Sequence, residues 1–308
     1  VSASALQGRI VARDEEIDDV LRLVLDGPDR VVTLTGVGGA GKTTIATHVA
    51  GAAEALLTDG VWTVDLTARP TESLAHRTAL AVGLADQARQ PVDVLADFLA
   101  PRQGLLVLDN CEPVVEEVAD LLTALLSRAP DLRVLATSRV PLRVTGERIY
   151  PVPPLALPPE AATLAAELRG VPSVELFVDR ARAAFPDFAL TDANAATVAD
   201  VARRLEGIPL ALEVAAGNLV ALSVEDVRAR VVAGVDVSPV ALRGRPRYQR
   251  TVQATLDWSV GLLEDPERRL FRRLSVFSGG WSAAAVEPVC SLDGDLADPV
   301  GALVTLVE

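Results

Sequence analysis

Methionine is missing from the 308 residues, lysine occurs once, histidine and cysteine twice each, and aromatic residues make up only 4% of the chain. Two cysteines, Cys111 and Cys290, build no disulfide framework, and with two histidines they offer no metal-cluster spacing. No apolar run reaches membrane-spanning length and no secretory leader pattern opens the chain, so a cytoplasmic, non-membrane protein is expected. The lack of Met even at position 1 leads to the expectation that the chain begins inside a longer protein or has been trimmed. A net charge of −13 argues against broad, salt-driven nucleic-acid binding by this segment, though not by a DNA-binding domain elsewhere in the parent.

Half of the residues are apolar, which places the chain among globular proteins, and its length allows two or three domains. With aromatics scarce and Ala, Val and Leu plentiful, helices packed on a parallel sheet are favoured.

The sole lysine sits in the most informative stretch, Gly36-Val37-Gly38-Gly39-Ala40-Gly41-Lys42-Thr43-Thr44. It matches G-x-x-x-x-G-K-[ST] at every fixed position. An apolar, β-branched run (31–35) precedes it and an Ala- and Leu-rich helical stretch follows, the strand–loop–helix context this motif requires. Glycines let the backbone wrap around a phosphate chain with its N–H groups turned inward. The helix opening near Lys42 adds unpaired N–H groups and the positive end of its dipole. Lys42 is expected to reach the β- and γ-phosphates, and the Thr43 hydroxyl to ligate Mg²⁺. In a chain otherwise committed to Arg, a lone compact ammonium suits a triphosphate.

Residues 9–16 are expected to lead into a first helix with Ile17, Val20, Leu21 and Val24 on one face. Further strands are read at 60–66, 104–109, 131–139 and 147–152, with helices near 71–84, 91–100 and from about 113. The run Leu105-Leu106-Val107-Leu108-Asp109 reads as a buried parallel strand ending in a carboxylate. Asp109 would then stand at the sheet edge where ligands of α/β folds bind, and is the candidate Mg²⁺ holder; a helix cap is its plain alternative. Thr137, Ser138 and Arg139 end the next strand, and Arg139 is a candidate γ-phosphate sensor or a surface turn residue. The proline-rich stretch 151–159 reads as a semi-rigid linker. A nucleotide-binding α/β domain is therefore expected over 1–155, a helical domain over 156–240, and a third domain, cut short, over 241–308. In the helical domain, stripes run through Val174, Phe177, Val178, Ala181 and Phe185 and through Val198, Val201, Ala202 and Leu205. A break at Gly207-Ile208-Pro209-Leu210 leads to a third helix, and a fourth begins near Val224. The stretch from Arg243 to Arg250 reads as a charged linker rather than a nucleic-acid dock, and 251–263 and 266–276 as helices.

The whole chain resembles the STAND ATPases, the NB-ARC or AP-ATPase group, of the type found in bacterial transcriptional regulators of the LuxR and SARP kinds. Five stretches carry the resemblance, at 36–44, 105–112 (Leu-Leu-Val-Leu-Asp-Asn-Cys-Glu), 134–139, 207–210 and 270–281. It implies an α/β P-loop NTPase domain, with helices on both faces of a parallel sheet, followed by a helical and a partial winged-helix domain. It implies a closed state over ADP and an open one with ATP. Val11, Ala12 and Arg13 would lie near the adenine and Pro209 would pack on the base, with Gly36, Gly38, Gly39, Ala40, Gly41, Lys42, Thr43 and Thr44 around the phosphates. The winged helix of such proteins serves mainly as a lock on the nucleotide.

This chain has Ala12 where the family usually has Gly, and Asn110 where a water-orienting carboxylate often follows the Mg²⁺ aspartate. Slow hydrolysis is expected, with Glu112 as a possible substitute for that carboxylate. The function expected is an ATP/ADP-binding switch module of a transcriptional regulator, read out by attached sensor and output domains or by self-association. The alternatives are a turnover ATPase and a nucleotide-bound scaffold that neither hydrolyses nor switches, for which Lys42→Ala would unfold the chain.

Overall fold

A computed structural model describes residues 10–67, 72–84, 90–233, 263, 265–277, 283–290 and 298–307. The basic stretch from Arg243 to Arg250, all but the last residue of the helix read at 251–263, and the stretch 278–281 lie outside the described residues. The chain divides into two compact units, Val1–Val252 and Gln253–Glu308.

The first unit opens with α1 (Asp14–Leu25), whose first turn carries Asp14, Glu15 and Glu16 and whose last turn carries Arg22, charges that complement the helix dipole. Five strands follow in the order expected: β1 (Val31–Thr35), β2 (Val61–Asp65), β3 (Leu105–Asp109), β4 (Arg133–Thr137) and β5 (Glu147–Pro151). They form one sheet in the order β2-β3-β4-β1-β5, with every pairing parallel. The intervening helices are α2 (Lys42–Glu54), α3 (Leu74–Ala81), α4 (Pro91–Leu99) and α5 (Val115–Arg128).

Side-chain alternation sorts the sheet into two faces. Leu106, Leu108, Val134 and Ala136 pack in one cluster with Leu95, Leu99, Leu122 and Leu125 of α4 and α5. Leu105, Val107, Leu135 and Val32 pack in the other with Val20 of α1 and Ile45 and Val49 of α2. Asp109 and Thr137 share the parity of Leu105, Val107 and Leu135, so both end their strands on the side of α2. That parity positions the site.

A second layer of helices follows: α6 (Pro172–Ala184), α7 (Asp192–Arg204), α8 (Pro209–Gly217) and α9 (Val224–Val232). Proline occupies the first turn of α6 and α8, where no amide hydrogen is missed. Phe177 and Phe188 meet edge-on at 6.2 Å inside this bundle. The stop before α8 needs its glycine: Gly207 has φ +67, and a Cβ there would fall 2.1 Å from the Leu155 carbonyl oxygen.

The segment expected as a linker is held from both sides. The Val152 N–H donates to Thr35 O (2.7 Å), and the Leu155 N–H to Gly207 O (2.9 Å). Arg13 Nη2 donates to Pro153 O at 2.6 Å.

In the second unit the described residues form α10 (Asp265–Leu274), α11 (Ala283–Cys290) and α12 (Pro299–Val307). Leu270, Val286, Cys290, Ala302 and Leu303 make its core. Cys111 and Cys290 are both buried free thiols.

Candidate functional site

The loop between β1 and α2 takes a shape that only glycine adopts without strain. Gly36, Gly39 and Gly41 have φ of +144, +82 and +99. Gly41 is the N-cap of α2 and offers no side chain to its first turn, so the opening N–H groups of the helix are left to a ligand. Lys42 is nearly buried, and its ammonium folds back to donate to Gly36 O (2.6 Å) and Val37 O (3.1 Å). Burial pulls its pKa down to about 8 against the pull of Glu112 and Asp109, with Arg139 adding to the fall.

Asp109 is 8% exposed. Its Oδ1 accepts from Thr43 Oγ1 (2.8 Å) and Thr137 Oγ1 (2.6 Å), and its Oδ2 from Asn110 Nδ2 (2.9 Å). Burial nevertheless raises its pKa, the Thr137 and Thr43 hydroxyls opposing the rise. The side chains that donate to this carboxylate are all neutral, so they satisfy its hydrogen bonds without balancing its charge. One carboxylate and one hydroxyl are a donor set suited to Mg²⁺, which fills its other positions with water and substrate phosphate. Among the described residues no group of three or more His, Cys, Asp or Glu side chains could hold a metal by itself.

Asn110 occupies the left-handed region, φ +62, which asparagine tolerates. Its backbone N–H donates to Thr137 Oγ1 (2.9 Å), and its amide also reaches Thr67 Oγ1 (3.0 Å). Glu112 lies on a 3-10 turn, Glu112–Val114, and its Oε1 accepts from Arg139 Nε at 3.2 Å.

A cavity of about 300 Å³ opens beside the loop, at the lower end of the range for small-molecule sites. Gly41, Thr43, Thr44, Thr47 and His48 form one wall, and Ile10, Val11 and Arg13 another. Leu155 of the proline-rich segment and Leu176, Arg180, Pro209 and Glu213 of α6 and α8 complete it. Apolar Ile10, Val11, Leu155, Leu176 and Pro209 suit a flat base, while hydroxyls and glycine amides suit phosphates. Arg13 Nε is a buried donor with no hydrogen-bond partner, although the same guanidinium donates to Ala40 O (3.1 Å) and binds Glu16. The residues present therefore fit a nucleotide.

The structure brings Val11, Arg13, Gly41, Thr43, Thr44 and Pro209 to this cavity. Lys42, Asp109, Glu112 and Arg139 form the buried charge cluster behind the loop, linked by their mutual effect on Lys42. Gly39 stands under Leu210: the Leu210 N–H donates to Gly39 O at 3.2 Å. Ala40 is fully buried, with its N–H turned to Val37 O at 3.2 Å. Sequence reasoning missed Thr47 and His48, which the helical repeat could have found one turn beyond Thr43 and Thr44. It also missed Arg180 and Glu213, which pair across α6 and α8 at 3.1 Å and leave no local sequence signal.

No protein-family model matches the chain. An uncharacterized protein of Mycobacterium tuberculosis is 36% identical over 293 residues, covering 92% of this chain and 70% of that protein. A second M. tuberculosis protein, named "Putative HTH-type transcriptional regulator", is 41% identical over 284 residues, covering 89% of this chain and 30% of its own length. The regulatory protein AfsR of Streptomyces coelicolor is 29% identical over 267 residues, covering 81% of this chain and 24% of AfsR. The chain belongs to one family with the first of these proteins and is related to the two regulators, and its phosphate loop and parallel sheet are those of a P-loop NTPase.

It spans about a third or less of the two regulators, so they carry further domains. Among solved structures, a STAND protein with a tetratricopeptide repeat sensor from Pyrococcus horikoshii superposes over 99% of this chain and 40% of its own, with a TM-score of 0.44 and 15% identity. No helix among the described residues is long and apolar enough to cross a membrane.

Proposed function

We propose that the chain is the ATP/ADP-operated switch module of a transcriptional regulator. The observation that carries this reading is that one cavity is walled by the phosphate loop and α2 on one side and by α6 and α8 on the other. A ligand there touches both layers, so its phosphates can bias how they pack.

In this reading the α2 N–H groups, Lys42 and Thr44 hold the phosphates, and Val11, Arg13 and Pro209 surround the base. Thr43 and Asp109 would hold Mg²⁺, which neutralises charge between the β- and γ-phosphates when bound. Arg139 senses the γ-phosphate. The Asn110 amide points at Asp109 and accepts no proton, which supports slow hydrolysis resetting an ADP-bound state. The module is read as a nucleotide-binding domain (1–155), a helical domain (156–240) and a partial winged-helix domain (241–308). It works in the cytoplasm with attached sensor and output domains, and self-association on activation is part of the proposal.

The test is to extract and identify the nucleotide retained by the purified chain, then compare limited proteolysis in ADP and in a non-hydrolysable triphosphate with Mg²⁺. Stoichiometric ADP and a cleavage pattern that differs between the two ligands support the switch. Identical patterns with rapid, repeated turnover overturn it in favour of a working ATPase.

A further inference from the structure

Behind the phosphate loop lies a buried ion pair whose carboxylate, Glu112, has no task in phosphate binding itself. Glu112 follows β3 and Arg139 follows β4, neighbouring strands of the sheet. Their side chains are 6% and 15% exposed and meet at 3.2 Å through Glu112 Oε1 and Arg139 Nε. Glu112 Oε2 is buried with no hydrogen-bond partner. Backbone bonds pin both segments: Cys111 N–H to Thr137 O at 2.9 Å and Ser138 N–H to Leu34 O at 3.0 Å. Any rearrangement of the pair therefore falls on the side chains. Glu112 and Arg139 also both act electrostatically on Lys42, with opposite signs, so the three charges form one cluster.

A terminal phosphate held by Lys42 adds a second anionic acceptor to that cluster. We propose that Glu112 is a positioning residue that holds Arg139 until a triphosphate competes for it, and so sets the chain's preference between nucleoside tri- and diphosphates. The inference rests on the nucleotide reading above. With a diphosphate the Glu112–Arg139 pair stays intact. With a triphosphate the guanidinium exchanges carboxylate for phosphate, and a buried carboxylate loses its partner. That cost falls on the triphosphate alone, so Glu112 weakens ATP relative to ADP. The device keeps a resting module on ADP until its surroundings favour the exchange.

The experiment is calorimetric binding of ADP and of a β,γ-imido ATP analogue, with Mg²⁺, to the whole chain and its variants. Glu112→Gln is expected to raise the triphosphate-to-diphosphate affinity ratio by roughly 5- to 10-fold. Glu112→Asp keeps the charge but draws it back by one methylene, so it moves the ratio the same way by less. It also keeps the test open if the Gln variant fails to fold. Arg139→Gln lowers the ratio, and adding Glu112→Gln to Arg139→Gln then leaves it unchanged. An unaltered ratio in Glu112→Gln overturns the inference. So does an equal rise in the Arg139→Gln background, which would mean that Glu112 acts through Lys42. Failure of the unmodified chain to bind either nucleotide overturns the nucleotide reading itself, and this inference with it.

Discussion

Two carboxylates, one at the sheet edge and one in the helical bundle, are shifted in opposite directions. Asp109 is raised by burial, although two threonine hydroxyls and an asparagine amide donate to it. Asp200 of α7 is lowered because the guanidiniums of Arg228 and Arg204 outweigh its burial. Neutral donors satisfy hydrogen bonds without balancing charge; cations do both. The bundle supplies its own cations, and α9 is closed by a capping box between Ser223 and Asp226. The sheet edge instead gives Asp109 neutral donors only, buries Lys42 with its pKa depressed, and strings positive φ angles along its loop. The bundle is built for its own stability; the edge is built for a ligand that brings charge.

The largest effect separating the two regions is expected at Lys42. Lys42→Ala should weaken nucleotide binding about 100- to 1,000-fold by removing charge-assisted bonds to phosphate. The ligand-free chain should become more stable by about 1 kcal/mol, the relief of burying an ammonium less two lost carbonyl contacts. Calorimetry and thermal unfolding measure both, and unfolding of the variant would instead support the scaffold alternative.

Next comes the contact between loop and bundle. A Cβ on Gly39 would stand 2.7 Å from Leu210 Cβ with φ at +82, whereas Gly146, at φ +77, has nothing within 4 Å. Gly39→Ala should cost about 2–3 kcal/mol and Gly146→Ala about 1 kcal/mol in urea unfolding. Equal losses would show that the loop does not bear on α8.

In the bundle, Ser223→Ala should lower stability by about 1 kcal/mol through loss of the α9 cap. Nucleotide affinity should not change, and a parallel fall would break the division drawn above.

The smallest effect is a proton. The folded pKa of Lys42, about 8, lies below its ordinary 10.5, so the unfolded chain binds more protons between those values. Stability of the ligand-free chain should therefore rise with pH across that window. Phosphate binding recharges the amine, so nucleotide binding at pH 9 should take up close to one proton and at pH 6.5 almost none. Calorimetry in buffers of different ionisation enthalpy reads this directly, and zero uptake at pH 9 would remove Lys42 from the phosphates.

Much of the fold was legible because its signals are local. Residues 31–44 present strand, turn glycines and helix start in one run, and the apolar run 105–109 marks a strand buried on both faces. The α6 and α7 stripes follow the helical period, except that Phe185, expected on the α6 stripe, caps the end of that helix in an extended conformation and is exposed. The expected boundaries differ from the observed ones by a few residues, as at 71–84 against Leu74–Ala81, where Ser73 caps the helix by accepting from the His76 N–H. The proline-rich stretch 151–159 reads as a spacer by composition. Its hydrogen bonds to Thr35, Gly207 and Arg13 depend on partners distant in sequence, and no composition rule supplies them.

The candidate site divides along the same line. By itself the sequence determined which loop can wrap a phosphate, where the lone ammonium sits and which carboxylate ends a buried strand. These depend on glycine's freedom at positive φ, on strand length and on charge, all properties of neighbouring residues. Only the tertiary structure decided that Asp109 and Thr137 emerge on the face of α2, that Arg180 and Glu213 close the cavity, and that Glu112 takes hold of Arg139. Each joins segments tens of residues apart, and their meeting depends on sheet order and helix packing, which are set by burial summed over the whole core.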